Sequence, residues 1–240
     1  MDLARLSWPE AARYAGAVAV VPLGSLEQHG PHLPLDTDAT IATAVAARAT
    51  RNANATGTPA VLLPTLPYGA SGEHAGFAGT VSIGTDALTA VLVELGRSLA
   101  GPCSAVVFAS GHGGNADALA GAASLLAAEG RSVMTWAPAV PGGDAHAGRT
   151  ETSVMLALEP GLVHHYGDVV GEERPLTELI GELRRAGVRS VSASGVLGDP
   201  SGATAAEGRD ILEGLVADLT AVIVAAAGPA PGGGHGHGDG

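Results

Sequence analysis

Residues 17–38 read AVAVVPLGSLEQHGPHLPLDTD, an apolar run followed directly by a polar one. The apolar part, residues 17–23, predicts a buried strand. Residues 39–49 carry apolar side chains at helical spacing and predict a helix. The polar residues therefore stand between the end of a strand and the start of a helix, where ligands bind in open α/β sheets.

Three side chains in this polar stretch have the chemistry of metal ligands. Glu27 and His29 are two residues apart, so on extended backbone they project to the same side. Asp38 falls in the first turn of the predicted helix, with Asp36 or Thr37 as the cap. Carboxylate and imidazole groups bind Zn²⁺, Fe²⁺ or Mn²⁺. A surface Glu-x-His pair and a capping aspartate explain the same residues without a metal, so this stretch alone leaves both interpretations open.

Composition bounds the class of protein. The chain has 240 residues, of which 46% are apolar and 15% charged, enough to build one large core. Its formal net charge of −12 argues against a nucleic-acid backbone as partner. All twelve basic residues are arginines, which excludes a Schiff-base or Walker-type lysine mechanism.

Cellular location is predicted from the cysteine count and the apolar runs. The one cysteine, Cys103, has no second cysteine to pair with, which is typical of a reducing compartment. The first residues lack the apolar core of a signal peptide, and no apolar run reaches membrane length. We therefore expect a soluble cytoplasmic protein that binds neither membranes nor nucleic acids.

Strand-like and helix-like segments alternate along the rest of the chain. Further strands are predicted at residues 60–63, 79–83, 104–109, 132–136 and 188–191. Further helices are predicted at residues 9–14, 85–99, 116–129, 150–158, 176–185 and 205–226. This order predicts an α/β class: a single-domain layered α/β/α fold with a mostly parallel sheet, over residues 1–228. The Gly/His-rich tail, residues 229–240, cannot bury a core and is predicted to be disordered.

Two later loops repeat the arrangement of polar groups after a strand. His112 follows the strand at 104–109, and Gly113 and Gly114 after it allow backbone to approach closely. His146 precedes a helix that carries Glu151 in its first turn. An oxyanion loop of a serine hydrolase would need a Gly-x-Ser-x-Gly elbow between a strand and a helix, and a phosphate loop would need Gly-Lys-Ser/Thr; neither is present. Ligand-type residues from three loops favour a metal site.

The same motifs resemble those of the creatininase-like metal-dependent amidohydrolases, and the likeness covers nearly the whole chain. They are GSLEQHGPHLP at 24–34, TD at 37–38, GEH at 72–74, FAGT at 77–80, GHGGN at 111–115, HAG at 146–148, ETS at 151–153, GVLGDP at 195–200 and AT at 203–204. The combination is specific, whereas each piece alone is not. The resemblance implies a creatininase-like fold and a two-metal site.

Carried over by position, the resemblance implies a role for each residue. Glu27, Asp38 and His112 would hold one ion; His29, Asp38 and a further carboxylate would hold the other. The implied cofactors are two divalent metal ions per subunit, Zn²⁺ and/or Fe²⁺, with Mn²⁺ as an alternative. Two ions polarise a carbonyl group and activate a water for attack on an amide. His146 would be the general acid that protonates the leaving nitrogen.

Two departures from the creatininase pattern matter. The family takes a metal carboxylate two residues after the histidine of its Gly-His motif, and here that position is Gly114. Glu151 is our replacement ligand, with a role as a catalytic carboxylate as the alternative. The tryptophan that encloses creatinine also has no counterpart, because Gly142 and Gly143 stand in its place. A roomier mouth suits a peptide better than creatinine.

A narrower likeness, to a peptidase branch of the family, rests on YGASGEH at 68–74, FAGTVSIGTDAL at 77–88 and GGDAHAG at 142–148. It implies a homo-oligomer that releases a C-terminal Val-Tyr-derived dipeptide from a short modified precursor peptide. Tyr68, Ser71, Glu73 and His74 are the predicted substrate residues, although Glu73 and His74 could equally lock a loop. The alternatives are a small-molecule cyclic-amide or formamide hydrolase and, from another class, a non-catalytic binding protein stabilised by metal.

Overall fold

Four parallel strands form the sheet of the computed structural model, which describes residues 1–228. The strands are β1 (Val18–Leu23), β2 (Ala60–Leu62), β3 (Ala105–Ser110) and β4 (Val133–Trp136). Their order across the sheet is β2-β1-β3-β4, and every neighbouring pair is parallel. The predicted disordered tail, residues 229–240, lies outside the described residues.

Seven α-helices alternate with these strands in the described part of the chain. They are α1 (Trp8–Ala11), α2 (Thr37–Ala55), α3 (Thr85–Leu99), α4 (Ala116–Ala128), α5 (Arg149–Leu158), α6 (Leu176–Ala186) and α7 (Ala205–Ala226). None of the helices between residues 1 and 228 is both long and apolar enough to cross a membrane.

Side-chain alternation along β1 divides the core into two layers. Val18 and Val20 pack in a cluster with residues of α2, α5 and α7 on one face of the sheet. Ala19 and Val21 pack in a second cluster with residues of α3 and α4 on the other face. Both faces of β1 are therefore covered by helices, as parallel sheets require. The predicted layered α/β/α fold with a parallel sheet is confirmed.

Two of the predicted strands were wrong. Residues 79–83 make one isolated bridge, between Val81 and Leu26, because Gly79 and Gly84 on either side have φ of 85° and 78° and interrupt the extended backbone. Residues 188–190 form a 3-10 turn instead of a strand. There Val188 is buried against Leu179 of α6, so its apolar side chain serves a small separate cluster.

Some helix ends also differ from the prediction. Helix α2 begins at Thr37, two residues earlier than predicted, and runs to Ala55, six residues further. The opening helix breaks into α1 and a 3-10 turn over Ala12–Tyr14, although a capping box of Ser7 and Glu10 is present. Termini fray easily, so such shifts are expected.

The carboxyl ends of β1 and β3 meet the first turn of α2. A Cβ on Gly24 would lie 2.5 Å from the Ala39 backbone, and a Cβ on Gly111 would lie 2.6 Å from the Asp38 carbonyl oxygen. Only glycine fits at either place, because any side chain would overlap main-chain atoms. This close approach puts Asp38 between the loops that follow the two strands.

Candidate metal centre

Four predicted ligands meet at this edge of the sheet, and all are buried. His112 Nδ1 lies 3.1 Å from Glu27 Oε1 and 3.5 Å from Asp38 Oδ2. His29 Nε2 lies 3.2 Å from Asp38 Oδ1. Asp38 thus presents one oxygen to each histidine, between the two loops. The structure brings these residues together from positions up to 85 residues apart in sequence.

The loop before α5 adds His146 to the same cluster, and the first turn of α5 adds Glu151. Glu151 Oε2 lies 3.9 Å from His29 Nε2, and His146 Nδ1 lies 3.7 Å from Glu27 Oε1. Ala147 between them has a φ of 53°, unusual for a residue with a side chain, and its amide donates to the Glu151 carboxylate. The sharp turn aims an imidazole and a carboxylate at one place.

The buried carboxylates lack hydrogen-bond donors. Both oxygens of Glu27 and Oδ2 of Asp38 are buried and accept no hydrogen bond from residues 1–228. A buried charge without a partner is costly, and a bound cation removes that cost. Three sets of potential ligand atoms each lie within 4.8 Å of one another: Glu27, Asp38 and His112; His29, His146 and Glu151; Glu27, His74 and His146. The donor set therefore fits divalent ions at more than one neighbouring position.

The carboxylates dominate the electrostatics of the cluster. Burial alone would lower the pKa of His29, but Asp38 and Glu151 raise it to about 10. Burial likewise opposes protonation of His112, yet Glu27 holds the pKa of this histidine well above its ordinary value. Burial also raises the pKa of Glu151. The site attracts positive charge strongly, which is the property that a cation site needs.

Gln28 orients two of the histidines, and the sequence reasoning assigned it no role. Its side-chain nitrogen lies 2.9 Å from His74 Nδ1 and donates to the Gly195 carbonyl at 3.0 Å. Its own carbonyl oxygen lies 2.8 Å from His146 Nε2. The Gln28 side-chain nitrogen lies 3.0 Å from the same His146 Nε2. With its proton on Nε2, His146 would donate to the Gln28 main-chain carbonyl and would face Glu27 with a free lone pair on Nδ1. Because successive side chains on extended backbone point to opposite sides, the sequence placed Gln28 on the side away from Glu27 and His29.

The four predicted substrate residues separate into two pairs. Glu73 and His74 line the cleft above the cluster. Glu73 Oε1 lies 3.4 Å from His112 Nε2, and His74 Nε2 lies 3.3 Å from Glu27 Oε1. Tyr68 is half-exposed and Ser71 is fully buried, and neither belongs to the residues that line the cleft.

The cleft has a volume of about 820 Å³. Its floor includes His74, His112 and His146, and α6 forms one wall. The wall residues are Leu176, Ile180, Leu183, Arg184 and Arg185. Ligand sites typically combine such apolar walls with a few convergent polar groups.

Comparisons with known proteins identify the family of this chain. The Creatininase family model, described as creatinine amidohydrolase, matches residues 4–223. The mycofactocin precursor peptide peptidase of Mycobacterium tuberculosis is 55% identical over 205 residues, 83% of this chain and 81% of that protein. The peptidase of the same name from Mycolicibacterium smegmatis is 53% identical over 201 residues, 83% of this chain and 81% of that protein.

A solved structure of a creatininase variant, described as of the Zn-Zn type, has the same fold. It is 25% identical in sequence and has a TM-score of 0.73, with 95% of this chain and 98% of that chain covered. The family model spans most of the chain, and the buried cluster lies at the carboxyl edge of the sheet. The chain therefore belongs to the creatininase family of metal-dependent amidohydrolases.

Proposed function

We propose that this chain is a metal-dependent peptidase that releases a C-terminal Val-Tyr-derived dipeptide from a modified mycofactocin precursor peptide. One observation of the structure carries the hydrolytic part of the proposal. Buried carboxylates that lack donors stand beside two histidines, at the floor of an open cleft. The peptide part is supported by the 55% identity to a peptidase that bears that name.

Two divalent ions per subunit, Zn²⁺ and/or Fe²⁺ with Mn²⁺ as an alternative, are the proposed cofactors. Glu27, Asp38 and His112 would hold one ion, and His29, Asp38 and Glu151 the other. When bound, such ions polarise an amide carbonyl and lower the pKa of water. Support for Glu151 as the second carboxylate is its approach to His29, with 3.9 Å between Oε2 and Nε2.

His146 is the proposed proton carrier. In the tautomer that donates from Nε2 to the Gln28 main-chain carbonyl, Nδ1 is free to accept a proton. It would first accept a proton from the attacking water and then deliver that proton to the leaving nitrogen as the C–N bond breaks. Glu27, 3.7 Å from Nδ1, would stabilise the ring while it carries the charge.

The size of the cleft favours a peptide over a small cyclic amide. At about 820 Å³, the cleft lies towards the upper end of the range for ligand pockets, and α6 lines one wall with both apolar and arginine side chains. A single small ring would leave most of this volume filled with water. An extended peptide end can contact the floor and α6 together.

The test uses metal-loaded protein and a precursor-tail peptide that carries the modified Val-Tyr end. We expect release of the dipeptide, detected by mass spectrometry, and no release after chelation. The unmodified peptide, creatinine and a small formamide are parallel substrates. Opening of creatinine or deformylation without peptide cleavage would favour the small-molecule hydrolase, and metal binding without any turnover would favour the binding protein.

His146→Ala separates a proton carrier from a ligand. We expect both ions to remain and kcat to fall by about 10²- to 10⁴-fold, because a positioned acid–base group contributes a factor of that size. His165→Ala, at an exposed histidine, is the control. Loss of an ion from the His146 variant, measured by metal analysis, would instead make His146 a ligand.

We further propose a cytoplasmic homo-oligomer whose catalytic domain is residues 1–228. Large apolar side chains on the loops at the carboxyl edge, namely Leu35, Tyr68, Val81 and Ile83, are between 37% and 48% exposed. Apolar side chains left in solvent favour association when they lie side by side. Light scattering coupled to gel filtration would measure the subunit number, and a monomeric mass would contradict the proposal.

A further inference from the structure

His112 has two ring nitrogens that face different partners. Nδ1 points at Glu27 and Asp38, the proposed ligands of one ion. Nε2 points the other way and lies 3.4 Å from Glu73 Oε1 and 3.4 Å from the Ala70 carbonyl oxygen. A neutral imidazole that binds a cation through Nδ1 carries its proton on Nε2, and that proton needs an acceptor. Glu73 offers a charged one.

Gly114 leaves the space that the Glu73 carboxylate occupies. A Cβ on Gly114 would lie 2.3 Å from Glu73 Oε1 and 2.3 Å from His112 Nε2. It would also lie 2.7 Å from the Ala70 carbonyl oxygen, which belongs to the main chain. Gly114 has no positive φ, so its backbone does not require glycine. The constraint at this position is steric and comes from Glu73, His112 and the Ala70 main chain together.

The loop that carries Glu73 is fastened by the segment after α6. Glu73 lies in a 3-10 turn, Gly72–His74. Gly187 has a φ of 75° and packs so tightly on this turn that a Cβ would lie 2.7 Å from the Glu73 carbonyl oxygen. Arg189 donates to the Gly76 carbonyl at 2.7 Å. The position of the Glu73 carboxylate is thus fixed by tertiary contacts as well as by its own turn.

We propose that Glu73 is a positioning residue that accepts the Nε2 proton of His112 and orients this imidazole towards the metal site. This role is an alternative to the substrate contact and the loop-locking role that the sequence suggested for Glu73. It rests on the proposed function, because His112 is a ligand only if metal binds. A carboxylate on the far nitrogen also makes the imidazole a stronger donor to a cation. Gly114 is part of this arrangement, because a larger residue at this position would displace the Glu73 carboxylate.

The test compares Glu73→Ala and Glu73→Gln with the wild-type protein. Zn²⁺ affinity is measured by competition with a chelating dye, starting from metal-free protein. We expect Glu73→Ala to lower the affinity for one of the two ions by about 10- to 100-fold. This is the usual loss when the hydrogen-bond partner of a metal-bound histidine is removed. Glu73→Gln should lose less, because an amide oxygen still accepts the proton. Asp117→Asn, at another carboxylate of the cleft, is the matched control and should bind both ions normally.

Two further readouts separate positioning from other roles. In peptide cleavage, Glu73→Ala should lower kcat with KM within about twofold of the wild type, and the Tm of the metal-free variant should stay unchanged. Gly114→Ala should weaken binding of the same ion. The double variant, Glu73→Ala with Gly114→Ala, should bind it little worse than either single variant, because both substitutions remove the contact between Glu73 and His112.

Several outcomes would overturn the inference. A raised KM with unchanged metal affinity would make Glu73 a substrate contact, and a lower Tm of the metal-free variant with unchanged affinity would make its role structural. Gly114→Ala with wild-type metal affinity would also contradict it. If the wild-type protein binds no ion, the proposed function itself is refuted. If the wild-type protein binds metal and the Glu73 variants bind it equally well, only the role of Glu73 is refuted.

Discussion

Gln28 illustrates how one side chain can organise several others. It is buried between Glu27 and His29, and its side-chain oxygen accepts from the Gly30 amide at 2.8 Å. A Cβ on Gly195 would lie 1.9 Å from that oxygen, so the glycine loop closes directly on the amide. Gln28 therefore joins the loop after β1 to the loop at residues 194–198, and the histidines that it contacts are aligned as a result.

His32 is the group from which we expect a stability effect of pH. It is fully buried, and its Nε2 lies 2.9 Å from the Thr152 hydroxyl. Burial and then the charge of His29 lower the pKa of His32 to about 4, against an ordinary value of 6.5. Between these values the unfolded chain binds a proton that the folded chain does not. The free energy of unfolding should therefore fall as pH decreases from 6.5 towards 4.

His32→Gln tests this expectation, because glutamine keeps a polar group near Thr152 but cannot be protonated. We expect the wild type to lose on the order of 1–3 kcal/mol more than the variant between pH 7 and pH 4.5. Urea unfolding at several pH values measures the difference. His165→Gln, at an exposed histidine, should behave as the wild type. Parallel pH profiles of wild type and His32→Gln would contradict the prediction.

The packing of α5 against α7 holds Glu151 beside His29. Glu207 of α7 accepts from Arg149 Nε at 2.8 Å and from the Ser153 hydroxyl at 3.1 Å. At Gly208 the helices are so close that a Cβ would lie 1.8 Å from the Ser153 carbonyl oxygen. Because Glu151 lies in the first turn of α5, a shift of this helix would move the carboxylate away from His29.

Gly208→Ala and Gly214→Ala form a matched pair within α7. A Cβ at Gly214 meets nothing within 4 Å, so alanine there should stabilise the protein by up to about 1 kcal/mol through helix propensity. Alanine at Gly208 should instead destabilise it by about 2 kcal/mol or more, because main-chain atoms of α5 must move. Thermal unfolding measures both changes. A stabilised Gly208→Ala variant would show that the helices do not pack as described.

Metal removal should affect the stability of the whole protein. The chain has a net charge of −12, and it buries both oxygens of Glu27 and Oδ2 of Asp38 without hydrogen-bond donors from residues 1–228. Ions that bind only the folded state at 100 times their Kd add about 2.7 kcal/mol. Chelation should then lower the Tm by roughly 5–10 °C, and added Zn²⁺ should restore it.

Asp38→Asn provides the control for this prediction. Asp38 contacts both histidines, so the variant should have a Tm that responds little to chelator or Zn²⁺. Differential scanning calorimetry with and without chelator makes the comparison. An unchanged wild-type Tm after complete removal of metal would contradict a shared ion site at Asp38.

Much of the architecture could be read from the chain because its signals are local. The continuous apolar run over 17–23 and the helical pattern over 205–226 correspond to β1 and α7. The strands predicted at 79–83 and 188–191 were wrong. A strand also needs a neighbouring strand with free backbone groups, and the pattern of apolar residues does not show whether one exists. The metal-ligand types of Glu27, His29 and Asp38 were likewise visible, since residue chemistry and spacing depend only on near neighbours.

Residue order was enough to establish the alternation of strands and helices, the family and the chemical types gathered at the carboxyl edge. The sequence did not show which side-chain atoms of these residues lie in contact. The sequence suggested a substrate contact or a loop-locking role for Glu73 and no role for Gln28. Their contacts with His112 and His146, 39 and 118 residues away in sequence, were not visible in it. Such contacts depend on how loops and helices pack across the sheet, at glycines where a single methyl group would overlap backbone, and packing over that distance leaves no periodic signal in the chain.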